Sequence, residues 1–203
     1  MRKSILIAFV LFIGITVTQA QVRISPGLKG GLNLSRLTNI DGNGLKSDFY
    51  VGGFMAIKFN KFFTLQPELT YSKQGSEGRY YDFNDNYYDT KYDLNYLSLD
   101  AVAKFHFNRS GFHILAGPSV DFKIGDNFGD YGFDDPVDFD ISIIGGVGYT
   151  LPNGLTFEAR IKQGLIDIYG YDNTYDNNGN GNYDEVILNQ AIQVGISYTF
   201  KMK

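Results

Sequence analysis

One eleven-residue stretch, "LTFEARIKQGL", constrains this chain more than any other. Leu155, Phe157, Ala159 and Ile161 alternate with Thr156, Glu158, Arg160 and Lys162. A period of two makes a β-strand with one uncharged, oily face and one ionised face. The same division recurs along the chain. The oily faces read Ile192, Val194, Ile196, Tyr198, Phe200 in the last segment and Phe49, Val51, Gly53, Met55, Ile57, Phe59 in an early one. The opposite faces carry Lys29, Lys58, Glu68, Asp100, Lys104, His106, Asp121, Lys123, Asp140, Glu158, Arg160 and Lys162. No helical period of comparable strength appears.

Eight alternating segments are expected, near 26–34, 47–59, 62–72, 92–107, 112–124, 137–149, 155–165 and 189–201. Their connections alternate in length. Asn60-Lys61, Asn108-Arg109-Ser110-Gly111 and Pro152-Asn153-Gly154 are tight turns, whereas 35–46, 73–91, 125–136 and 166–188 are long and polar. Sorting by side, short turns at one end and long loops at the other, is the habit of outer-membrane barrels with periplasmic turns and extracellular loops. The expected fold is therefore all-β: an eight-stranded antiparallel up-and-down transmembrane barrel.

A soluble barrel with the oily face inside is the rival arrangement. Eight strands enclose room for their own side chains or one small ligand. The Phe, Tyr, Ile and Leu of these faces would overfill it. Turned outward they meet lipid, where a Lys or Arg would cost about 2–4 kcal/mol at the midplane. The enclosed charges then form an interior network of Lys58, Glu68, Asp100, Lys104, Asp121, Lys123, Asp140, Glu158, Arg160 and Lys162. Salt bridging across a narrow lumen is the preferred reading of these charges over an ion path.

Residues 1–20 stand apart. Arg2 and Lys3 precede an apolar run from Ile5 to Val17, and Thr18-Gln19-Ala20 closes it. This reads as a signal peptide cleaved near Ala20, with a barrel domain over 21–203. The chain has no cysteine and a net charge of -4, so neither a disulfide framework nor a basic field for nucleic acid is expected.

Several details complicate the pattern. Pro67 and Pro118 fall inside strands, each deleting a ladder donor, so bulges are expected beside them, with Gly117 favouring one. Tyr92, Leu94 and Tyr96 have the opposite parity to Leu97, Leu99 and Ala101. Either the register resets near Tyr96 or the strand has left the bilayer there. Phe54, Val102, Leu115 and Ile144 face inward and suggest a partly plugged lumen. Phe59, Phe62, Phe107, Phe112 and Tyr149 gather near the short turns, where an aromatic girdle belongs.

The stretches "SPGLKGGLNLSRL", "VGGFMAIKFNKFFTLQPELTYSKQGS", "YLSLDAVAKFHF", "HILAGPSVDFKI" and "GGVGYTLPNGLTFEARIKQGL" resemble the successive strands of PorT-like outer-membrane β-barrel proteins of Bacteroidetes-type bacteria. The resemblance implies an eight-stranded barrel of the OmpX/OmpA kind in the outer membrane. It implies no activity, although some members are linked to secretion or gliding machinery. The last strand also resembles the C-terminal signal read by the barrel-assembly machinery, with Gln193, Gly195, Tyr198 and Phe200 in place. Any closing strand also needs alternating aromatics, so a purely structural role stays open.

Chemistry is sparse. The two histidines, His106 and His113, flank a short turn and face inward at the periplasmic end. Ser98, of the same parity as His106, lies eight residues away, roughly 27 Å along the strand. No hydrogen-bonded triad follows, and no catalytic residue is assigned. "DNNGNGNYDE" places Asp176, Asn178, Asn180 and Asp184 at the spacing of a calcium loop but lacks its closing glutamate. Calcium is the one cofactor considered, against a plain Asn/Gly/Asp loop. "YYDFNDNYYD" and "DNFGDYGFDD" are acidic and aromatic, suited to contact with an extracellular ligand or to simple solvation. The expected partners are membrane lipid, the assembly machinery and an unidentified ligand or envelope protein. The functional expectation is a structural or loop-mediated binding role. An accessory of a secretion or envelope machinery is the alternative, and a lipid A-modifying enzyme is more distant.

Overall fold

Alternation along the chain becomes a ring of strands in the computed structural model, which describes residues 22–40, 44–81, 87–107, 111–131, 135–169 and 186–200. The strands are β1 (Arg23–Leu37), β2 (Lys46–Lys58), β3 (Phe63–Tyr81), β4 (Tyr87–His106), β5 (Phe112–Asp126), β6 (Phe139–Thr150), β7 (Leu155–Gly164) and β8 (Asn189–Thr199). Each pairs antiparallel with its neighbour, and β1 pairs with β8 to close the barrel. At that seam Gly31 stands opposite Gly195 and Leu37 opposite Asn189. Closure leaves no free edge around the wall.

The pleat settles which face is which. Arg160 is 1% exposed, and the adjacent Ile161 is 63% exposed. Leu28, Leu32, Leu69, Leu99, Ile143, Val194 and Ile196 are likewise exposed, whereas Lys29, Glu68, Lys104, Asp121, Glu158 and Lys162 are buried. This is the inverse of a soluble barrel. Phe62, Phe107, Phe112 and Tyr149 are exposed around the short-turn end. Phe107 and Phe112, whose tilted rings have centroids 5.7 Å apart, form part of that girdle.

Two local expectations change, and the expected register reset near Tyr96 is found. The segment 73–91 was expected as a loop, but β3 and β4 run on through most of it as a hairpin, pairing as far as Tyr81 opposite Tyr87. Lys73, Gln74, Ser76, Glu77, Arg79, Asp89, Thr90 and Lys91 put polar side chains on both of its faces, as a strand outside hydrocarbon is free to do. The prolines bring no bulge. The β2–β3 ladder lapses beside Pro67, between Phe54↔Glu68 and Ile57↔Leu65, and resumes in step. The β4–β5 ladder lapses likewise beside Pro118, between Asp100↔Ser119 and Ala103↔Ala116. Gly117 serves close approach instead: a Cβ there would sit 2.0 Å from the Ala101 carbonyl oxygen. A register shift does occur between Asn95 and Tyr96, and β5 takes it by leaving Ile124 unpaired. The alternation of β4 itself continues unbroken. Tyr92, Leu94, Tyr96 and Ser98 all point inward and are buried.

Candidate functional site

The inward face builds the lumen in layers. Nearest the short turns lies an ionic layer drawn from β1, β3, β4, β5 and β7. Glu68 accepts from Lys29 at 2.5 Å and from both terminal nitrogens of Arg160, Nη1 at 2.9 Å and Nη2 at 2.8 Å. Arg160 also donates to Glu158 through Nε at 3.0 Å and Nη2 at 2.6 Å. Glu158 pairs with Lys104, and its Oε1 lies 3.4 Å from His113 Nε2. A second ionic group stands beside it. Lys162 pairs with Asp121 at 2.5 Å and Asp100 at 3.7 Å. Ser98, Ser119 and Ser142 supply further hydroxyl donors to these two carboxylates. Lys29, Lys104, Arg160 and Lys162 thus answer Glu68, Asp100, Asp121 and Glu158 one for one. Buried charge persists only when paired and hydrogen-bonded, and both conditions are met here.

Three of the charges expected in this network stand elsewhere. Lys58 lies exposed at the short-turn mouth, since it is the last residue of β2. Lys123 sits at the opposite end and pairs with Asp126 at 2.9 Å and the Pro136 carbonyl at 2.5 Å. Asp140 accepts the backbone N–H groups of Leu165 (3.3 Å) and Ile166 (3.1 Å), closing the turn after β7. Its inward parity was legible, but its partners are main-chain donors.

Above the ions comes a belt of amides and hydroxyls. Asn33 donates to Ser72 at 2.8 Å, Gln193 to Asn33 at 2.9 Å and Asn189 to Gln74 at 2.7 Å. Above that, Leu37, Tyr92, Leu94, Tyr96, Phe128 and Ile168 form a buried apolar plug. Val102, Leu115 and Ile144 form a smaller apolar cluster on the wall. The signal for the large plug was in the parity of Tyr92, Leu94 and Tyr96. Those residues read as a register conflict because an inward apolar face contradicts the polar-interior rule.

Past the barrel rim the β3–β4 hairpin continues outward. At its base Lys73 pairs with Asp93 at 3.1 Å, Lys46 with Asp93 at 2.8 Å, and Asp48 pairs with Lys46. Hydrogen bonding to Asp93 raises the Lys73 amine above its usual value. Partial burial pushes the Asp93 carboxyl up, but hydrogen bonds from Lys46 and Lys73 outweigh this and hold it below the usual carboxylate range. Higher up, Lys91 meets Glu77 at 3.2 Å and Arg79 meets Asp89 at 3.8 Å. The hairpin's edges are capped: Gly44 bridges Glu77, and Asn127 engages the Asp93 N–H and Lys91 carbonyl.

The histidines come together at the short-turn end, with ring centroids 5.1 Å apart. His106 Nε2 shares a hydrogen bond with the Thr64 hydroxyl at 3.1 Å, while Ser98 is bonded to Asp121 in the charge network. In the last strand Gln193 is buried, Gly195 packs beneath Tyr50, and the rings of Tyr198 and Phe200 meet edge-on at 5.3 Å. Asp176, Asn178, Asn180 and Asp184 of the calcium-like loop, and the leader at 1–20, lie outside the described residues.

Known proteins agree with this architecture. A family model described as the outer membrane protein beta-barrel domain matches residues 19–170. The chain belongs to this family. It is a small outer-membrane β-barrel protein, and lipid surrounds its exposed apolar belt. Among solved structures, the chain is similar to Neisserial surface protein A at 12% identity and a TM-score of 0.51, covering 88% of this chain and 99% of that one. At this identity the likeness concerns the barrel fold. The attachment invasion locus protein Ail of Yersinia pestis also matches, at 12% identity and a TM-score of 0.48, over 87% of this chain and 98% of Ail. No curated protein matches the chain.

Proposed function

We propose that this outer-membrane barrel works by display: an ion-locked lumen holds up the β3–β4 hairpin as a preformed contact surface outside the cell. The hairpin carries the reading. From Ser72 to Tyr81 it rises roughly 30 Å at about 3.3 Å per residue. Its base is pinned by the Lys46–Asp48–Lys73–Asp93 cluster, and Tyr92 packs on Phe128 with centroids 5.2 Å apart. A surface ordered before contact loses less entropy on binding. Its sequence of tyrosines, asparagines and aspartates suits adaptable polar contact with a partner protein. The calcium-like spacing at Asp176–Asp184 would add a second ordered element if it holds the ion.

The resemblance of "LQPELTYSKQG" to PorT-like proteins supports a second reading, an accessory of a secretion or envelope machinery. The two readings place the partner on opposite sides of the membrane. A photo-cross-linker at Tyr88 reports on the hairpin, and one at Lys61 reports on a short turn. Under the display reading, adducts form in intact cells from position 88 and vanish when the hairpin is shortened to its base. Adducts from position 61 alone would overturn it in favour of the accessory. Gln193, Gly195, Tyr198 and Phe200 are proposed to serve the assembly machinery during biogenesis.

A further inference from the structure

The ions inside the lumen cancel, but those at its short-turn mouth do not. A cavity of about 300 Å³ opens there, lined by Arg23, Lys58, Lys104 and His106 together with Ser25, Thr64, Gln66 and Thr156. No acidic residue lines it. Arg23 and Lys58 face one another directly across the β1–β2 ladder. Like charges so placed repel, and an ordinary sheet sets an acid opposite a base. Neither makes an ion pair among the described residues. Lys104 is already neutralised by Glu158, so the uncompensated cations of the mouth are Arg23 and Lys58.

The sequence extends the same imbalance around the rim. Among the described residues, segments 22–25, 59–62, 151–154 and 198–200, which end or join strands at this end, contain no Asp or Glu. They do contain Arg23 and Lys61. The acids crowd into the long connections at the other end. A cleft of one charge sign focuses field and raises the local concentration of counter-ions.

We propose that this vestibule binds a phosphate group presented from the periplasmic side. Lys104 and Gln66 already donate to Glu158 and Glu68, so the donors left to a ligand are Arg23 and Ser25 of β1, Lys58 of β2 and the hydroxyls of Thr64 on β3 and Thr156 on β7. A tetrahedral anion with oxygens in every direction matches that arrangement better than a planar carboxylate. Arg23 offers a planar fork, Lys58 a mobile point charge, and Ser25, Thr64 and Thr156 neutral hydroxyls. The volume admits a phosphate with a small organic substituent. A soluble phosphate ester and the headgroup of an anionic phospholipid share this chemistry.

The test uses the full mature chain folded in a phosphate-free sugar detergent. Inorganic phosphate is titrated at constant ionic strength, with chloride as control, and NMR shifts are followed at Thr64 and His106. Saturable shifts specific to phosphate are expected. The Arg23→Gln/Lys58→Gln variant should bind about tenfold or more weakly for each cation removed. Both side chains are exposed, so the variant should still fold, checked by its unheated mobility on SDS gels. Glycerol 3-phosphate and phosphatidylglycerol in mixed micelles then identify the source. Competition by the first alone indicates a soluble ester, and competition by the lipid indicates a headgroup. Equal shifts with chloride, or phosphate affinity unchanged in the double variant, would overturn the proposal.

Discussion

Arg160 of β7 reaches across the lumen and grips both carboxylate oxygens of Glu68 on β3, at 2.9 and 2.8 Å. The same guanidinium binds Glu158, two residues away on its own strand. One cation therefore ties opposite walls together. Arg160→Met leaves two buried carboxylates facing Lys29 and Lys104 alone, and should destabilise the barrel by about 3–5 kcal/mol. Adding Glu68→Gln removes the stranded charge and should recover part of that loss. Urea unfolding of the barrel in detergent measures both. A changed ion conductance in planar bilayers at unchanged stability would instead make these residues an ion path.

The orientation of the sheet gives a second test at the next residue. Ile161→Arg places a charge on the lipid face and should cost about 2–4 kcal/mol, falling off for positions nearer either rim. Ile161→Leu should be close to neutral. Folding yield into lipid vesicles reports the difference. A soluble barrel would tolerate Ile161→Arg as an ordinary surface change.

Most of this architecture follows from parity, which is a local property. Ile161 and Arg160 declare their faces without reference to any other strand, and the turns at Asn60-Lys61 and Pro152-Asn153-Gly154 locate the strand ends. Partnership is another matter. Glu68 and Arg160 are far apart in sequence, and which inward charge meets which depends on strand stagger around the ring. Asp140 illustrates the limit, because its donors are backbone N–H groups that every residue carries. The β3–β4 hairpin was hidden for a different reason. Outside hydrocarbon a strand needs no oily face, so its residues between Lys73 and Lys91 looked like loop. The basic mouth was visible only as scattered cations until the ladder set Arg23 opposite Lys58.

The hairpin's base should respond to acid. Asp93 is held below the usual carboxylate range and Lys73 above the usual amine value. A depressed carboxyl contributes stability that is present above its unfolded value, about 4. That contribution fades as pH falls through the lower folded value. The Lys73 contribution is intact below about 10.5 and fades only as pH rises beyond it. The base therefore holds through neutral pH and loosens in strong acid. Hydrogen exchange at Glu77 and Lys91 should accelerate below about pH 4 while exchange in β7 is unchanged. Asp93→Asn should bring the faster exchange to neutral pH.

Gly195 tests whether the last strand is read or merely packed. It faces Gly31 at the closing seam, beneath the Tyr50 ring. A Cβ at this position would lie 2.3 Å from the Tyr50 hydroxyl and 2.4 Å from the Gly30 carbonyl oxygen. Gly195→Ala should therefore destabilise the closed barrel by about 1–3 kcal/mol through overpacking alone. Tyr50→Phe removes only the side-chain collision and should restore only part of the loss, because the Gly30 oxygen and the Gly31 Cα, 2.9 Å away, belong to the backbone. Refolding of the purified chain in detergent, where no assembly machinery is present, measures the packing effect by itself. Assembly in cells measures packing and recognition together. A Gly195→Ala chain that refolds normally in detergent yet fails to assemble in cells would give this glycine to recognition; matching losses in the two settings would give it to the seam between β1 and β8.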